Sequence, residues 1–152
     1  MTETQTPDNS IEKTSVFLDT NVIISYLIGK GKAAKLFDPR ITNHTRYFIN
    51  PIVMQELLLI GNEELRSRAA NVMDTNHIEI MELPQDVSDR FLNKARDLRN
   101  RFQHTNDLLL LSSASQCDYL VTEDQSYRRV ASDGQLQILT TEQFVSQAIS
   151  KS

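Results

Sequence analysis

Apolar residues along the chain fall into pieces of two lengths. Short, β-rich pieces occupy residues 16–18, 47–49, 78–81, 119–122 and 137–139. Between them lie longer stretches with helical spacing, at 23–28, 33–37, 51–60, 63–73, 87–100, 105–117 and 141–149. Short strands that alternate with helices predict an α/β domain built on a mostly parallel sheet. No internal repeat or low-complexity tract interrupts the alternation.

Several helix starts carry their own signals. Asn50-Pro51 sets a capping side chain before a proline at the first helical position. Thr140 with Gln143 three residues later forms a capping-box pattern, followed by Phe144, Val145 and Ala148 as a packing face. In the stretch 105–117, Asp107, Leu110, Leu111 and Ala114 share one helical face. Asp107 therefore falls in a first turn, where the helix dipole favours negative charge.

Composition narrows the class. A chain of 152 residues suits one domain, and 39% hydrophobic with 24% charged content is that of an ordinary globular protein. Cys117 is the single cysteine, so no internal disulfide forms, which fits a reducing cytoplasm. Apolar runs such as 57–60 and 108–111 are too short to span a membrane. Residues 1–15 are polar and lack an apolar signal segment; they are expected to be a flexible lead-in to a single domain over 16–150. The formal net charge of −4 argues mildly against an obligate nucleic-acid binder, which usually carries a basic face. A nuclease whose carboxylates are neutralised by metal ions escapes that argument.

Four acids stand out against this background: Asp19, Glu56, Asp107 and Asp124 each sit at the end of an apolar run or within an apolar helix. Burying an unpaired charge is costly, so their placement calls for a cationic compensator. In a parallel sheet, ligands gather beyond the carboxyl ends of the strands, where strand order reverses. Asp19 directly follows its strand, Asp124 lies two residues past Thr122, and Glu56 and Asp107 fall early in helices. All four can converge on one edge. Mg²⁺ and Mn²⁺ prefer such oxygen ligands. Without a cation, neighbouring carboxylates repel and one or more takes up a proton. Taken singly, each acid has an ordinary reading: Asp19 as a helix cap, Glu56 as a solvated side chain, Asp107 as a first-turn acid, Asp124 as a turn residue.

The order Leu18-Asp19-Thr20-Asn21-Val22, Val53-Met54-Gln55-Glu56-Leu57, Asn106-Asp107-Leu108 through Ala114, and Leu120-Val121-Thr122-Glu123-Asp124-Gln125-Ser126-Tyr127 resembles the PIN-domain family, in particular its small VapC-like toxin type. The resemblance covers residues 16–139. It implies a Rossmann-like PIN fold and a metal-dependent endoribonuclease that uses Mg²⁺ or Mn²⁺. It also implies Asp19 and Asp107 as the most direct metal ligands, with Glu56 and Asp124 completing the site directly or through water. Thr122 and Asn21 would support the site and its loop. An RNA substrate, a cognate antitoxin and a homodimer follow from the same resemblance. Two departures are visible: Leu108 to Leu111 stand where small residues are usual, and Tyr127 stands where phenylalanine is more frequent.

His44, His77 and His104 are too widely separated for a local zinc site. His104 precedes Asp107 by about one turn and, with Arg99 and Arg101 from the basic run 90–101, is a candidate for contacting RNA phosphates. The same run also has a plain reading as a solvated helix face. A competing function is a catalytically silent PIN-like module that binds RNA or a protein partner. A haloacid-type phosphatase expects a second aspartate two positions after the first, and Asn21 stands there. A receiver domain lacks its paired acids and matching lysine.

Overall fold

The computed structural model describes residues 12–75, 78–83, 105–129 and 136–151. Among them are five strands: β1 (Thr14–Leu18), β2 (Thr45–Ile49), β3 (Glu79–Ile80), β4 (Tyr119–Val121) and β5 (Gln137–Leu139). Six helices accompany them: α1 (Thr20–Leu27), α2 (Pro39–Thr42), α3 (Pro51–Leu58), α4 (Glu63–Thr75), α5 (Thr105–Ala114) and α6 (Thr141–Ser150). The strands form one sheet in the order β3-β2-β1-β4-β5, and every pairing is parallel.

That order explains the central strand. Helices cover both faces of a parallel sheet, so its middle strands are apolar throughout. Val16, Phe17 and Leu18 of β1 are all fully buried, as are Leu120 and Val121 of β4. Each such side chain contributes about 1.5–3 kcal/mol by leaving water. From β1 the chain winds outward through β2 to β3, then returns to the other side of β1 as β4 and β5. The reversal lies between β1 and β4, and the crevice of a doubly wound sheet opens there. Asp19 N donates to Val121 O at 3.1 Å, which locks the two strand ends together at that point.

The expected elements differ from the observed ones in a few places. β1 begins two residues before its apolar triplet, because Thr14 and Ser15 pair with Thr45 and Arg46 of β2. Residues 31–35 form a 3-10 turn where a helix over 33–37 is expected, after Gly29 and Gly31 take left-handed φ values of 69° and 55°. α2 was not anticipated, although Asp38-Pro39 is a cap-plus-proline start; Asp38 Oδ1 accepts from Arg40 N. α5 stops at Ala114, three residues early, and Ser115 Oγ donates to Ser112 O in the tightened last turn. The helix expected over 87–100 lies outside the described residues. No helix among the described residues is long and apolar enough to cross a membrane.

One buried residue aligns two helices that carry acids. Asn50 is fully buried; its Oδ1 caps α3 by accepting from Val53 N at 3.1 Å. Its Nδ2 donates to Ser113 Oγ at 3.0 Å and, more weakly, to Leu109 O at 3.5 Å, both on α5. A side chain that caps one helix thereby holds the next one beside it.

Candidate functional site

Asp19 terminates β1 in extended conformation and caps α1, its Oδ1 accepting from Thr20 N at 2.7 Å. Its Oδ2 accepts the Thr122 hydroxyl at 2.6 Å, a short charge-assisted bond across the switch point. Thr122 Oγ1 in turn accepts from Asp124 N at 3.0 Å, so one buried threonine links both aspartates. Asp19 is only 7% exposed. Burial pushes its carboxyl up to about 6; the Thr122 and Thr20 bonds oppose that rise, and the charges of Glu56 and Asp124 add to it. The carboxylate is thus held in a dry, negatively charged setting, the situation that a cation relieves.

Asp107 lies half-buried in the first turn of α5, and its Oδ1 accepts the Tyr127 hydroxyl at 2.9 Å. Tyr127 is buried in the 3-10 turn Gln125–Arg129. Its phenol is driven upward by burial first and then by the charges of Asp19, Asp107 and Asp124, so it stays protonated and acts as a donor. The Tyr127 hydroxyl thus holds the Asp107 carboxylate directly.

Asp124 and Glu56 are more open. Asp124 is exposed, and its Oδ1 accepts from both Ser126 N at 3.0 Å and Ser126 Oγ at 2.6 Å, an Asx turn that starts the 3-10 segment. Glu56 is exposed on α3, and its charge reaches Asp19. Asn21 Oδ1 accepts from Glu123 N across a long 3.4 Å, tying α1 to the loop after β4. Glu123 caps α6, its Oε1 accepting from Thr141 N at 2.9 Å. Arg99, Arg101, His104 and His77 lie outside the described residues, and His44 is exposed next to β2, away from the acids. Cys117 is buried, and burial ahead of the nearby Asp118 charge pushes its thiol up to about 11, which favours the neutral thiol.

Three contributors were not marked as site residues in the sequence. Asn50 shows there only as a cap, Tyr127 only as a departure from a family pattern, and Ser126 only as one position of a matched segment. A Ser two positions after an Asp is the ordinary Asx-turn signal and was available.

Among the described residues, no three His, Cys, Asp or Glu side chains stand close enough together to form a finished metal cage. The ion pairs seen there, Lys32–Glu142, Arg40–Asp38 and Arg46–Glu79, do not involve the four acids. The donor set is all oxygen, and it includes a buried carboxylate with raised proton affinity. That suits a hard divalent ion which keeps part of its water and takes only one or two carboxylates directly.

Comparison with known proteins agrees with this architecture. The PIN-domain family model matches residues 16–133. No curated protein sequence matches the chain. Among solved structures, VapBC2 from Rickettsia felis bound to a promoter DNA fragment has a chain that superposes with a TM-score of 0.64 at 16% identity, covering 84% of this chain and 98% of that one. VapBC-1 from nontypeable Haemophilus influenzae gives 0.62 at 20% identity, with 85% and 99% covered. VapBC-5 from Mycobacterium tuberculosis, a member of the VapBC family of toxin–antitoxin systems, gives 0.55 at 16% identity, with 84% and 98% covered. At these identities the likeness concerns the fold. With a family model spanning most of its length, a five-stranded parallel sheet and acids at its switch point, this chain belongs to the PIN-domain family.

Proposed function

We propose that the chain is a metal-dependent endoribonuclease that hydrolyses RNA phosphodiester bonds, acting in the cytoplasm as the toxin of a toxin–antitoxin pair. The observation that carries the reading is the buried Asp19 at the sheet's switch point, bonded through Thr122 to the loop of Asp124 and acted on by the charges of Glu56 and Asp124. Structural likeness to members of VapBC complexes supports the toxin role and a protein antitoxin as partner.

In this reading Asp19, Asp107 and Asp124 hold Mg²⁺ or Mn²⁺, and Glu56 completes the negative wall. Such an ion, when bound, supplies Lewis-acid stabilisation of the phosphate and a more acidic water. Asp19 stays aligned through Thr20 and Thr122, and Asp107 through Tyr127. Thr122 and Asn21 fix the loop that carries Asp124. Arg99, Arg101 and His104 are assigned to phosphate contacts along the RNA, and the working unit is a homodimer. Structured RNA incubated with Mn²⁺ or Mg²⁺ should be cut by the wild type and left intact by Asp107→Asn; equal cutting by both would remove Asp107 from the mechanism.

One observation favours the silent-module alternative. Asp124 already spends one oxygen on Ser126, and no three acids form a closed cage. Calorimetry with Mn²⁺ separates the two readings, since a silent module need not bind the ion at these acids.

A further inference from the structure

The Asp107 carboxylate has a partner of its own, and that contact bears on how the site would receive an ion. Tyr127 is 3% exposed, and a phenol taken that far from water needs an acceptor. It finds one in Asp107 Oδ1 at 2.9 Å, on a different element twenty residues away. Asp124 directly precedes the same 3-10 turn, and its Oδ1 is clamped by Ser126. A single turn thus adjoins one aspartate and grips another.

A carboxylate offers about four lone-pair positions over its two oxygens, so one bond to Oδ1 leaves acceptor capacity for a cation. An aspartate free to rotate must be ordered when an ion arrives, whereas one already held by a buried donor is not. We propose that Tyr127 is a positioning residue for metal binding: its hydroxyl fixes the Asp107 carboxylate in the orientation that the ion requires. The inference rests on the reading of these acids as a cation site. It adds a residue that carries no negative charge and contributes no metal-binding oxygen.

Tyr127→Phe removes the hydroxyl and keeps the ring that fills the core. Mn²⁺ titration by calorimetry on the wild type, Tyr127→Phe and Tyr119→Phe tests the proposal. Tyr119 has a half-buried hydroxyl that accepts from Gln147 Nε2 at 3.3 Å, so its removal controls for a lost hydroxyl elsewhere. Outer-shell partners of metal ligands are worth about 10–100-fold in affinity. Tyr127→Phe should therefore bind Mn²⁺ about tenfold more weakly or worse, with Tyr119→Phe unchanged. In an Asp107→Asn background, adding Tyr127→Phe should weaken binding no further. If the wild type binds Mn²⁺ and Tyr127→Phe binds it equally well, the positioning role is overturned while the cation site stands. If the wild type binds no Mn²⁺, the cation reading itself fails. Equal weakening in the presence and absence of the Asp107 carboxylate would assign Tyr127 a purely structural role and overturn the proposal.

Discussion

Thr122 Oγ1 donates to Asp19 Oδ2 across 2.6 Å and accepts from Asp124 N at 3.0 Å, so one hydroxyl joins the ends of β1 and β4 through their acids. Thr122→Val keeps the shape and removes the hydroxyl. A hydrogen bond to an ionised group is worth about 1.5–3 kcal/mol, against about 1 kcal/mol for a neutral pair. Urea unfolding should show the larger loss at pH 7.5, where Asp19 is ionised, and a smaller one at pH 5.

The Asp19 carboxyl gives a second test through pH. Its folded value is raised from 3.8 to about 6, chiefly by burial. The native state therefore holds the proton more tightly than the unfolded chain. The associated stability is full below the unfolded value and is lost as pH rises through about 6. At roughly 1.4 kcal/mol per unit, the metal-free protein should lose about 2.4 kcal/mol of stability from this group between pH 4 and pH 7. Asp19→Asn should abolish that slope and leave the metal-free protein more stable than wild type at pH 7.5.

Divalent ions should act in the opposite sense. An ion that binds the folded state alone stabilises it by about 2.7 kcal/mol at a hundred times its dissociation constant. The melting temperature at pH 7.5 should rise with Mn²⁺ in the wild type, return on adding EDTA, and stay put in Asp19→Asn. Because Mn²⁺ competes with the Asp19 proton, the rise should shrink below pH 6.

Asn50 is the packing residue on which the arrangement of α3 and α5 depends. Asn50→Ala removes a helix cap, worth about 1 kcal/mol, and strips Ser113 of its buried partner, worth about 1–3 kcal/mol more. Chemical denaturation should show a loss of about 2–4 kcal/mol, large for a polar side chain in a helix-capping position.

The strands and the main helices were legible because each carries its own periodicity or cap, as with the Thr140–Gln143 box that the structure reproduces. Strand order was not legible, since the pairing of β1 with both β2 and β4 depends on how the crossovers wind. The short helix at Pro39–Thr42 was signalled by Asp38-Pro39, but it is too brief to show a hydrophobic period. At the site, sequence order located the acids. The bond of Tyr127 to Asp107, and of Thr122 to Asp19, joins residues 20 and 103 positions apart, and no local rule announces such pairs. Asp124 carries two readings at once. Its Ser126 turn is the ordinary one, and its charge also acts on Asp19 and Tyr127.

The central claim is that these carboxylates cut RNA through a divalent ion. End-labelled RNA incubated with the protein in Mn²⁺, then in EDTA, then with Mn²⁺ restored, beside Asp19→Asn, tests it most directly. The account predicts cleavage that stops in EDTA, resumes with Mn²⁺, and falls in the variant by more than the roughly 10–100-fold that loss of an outer-shell partner costs. Cleavage that survives EDTA, or that Asp19→Asn performs as well as wild type, would contradict it.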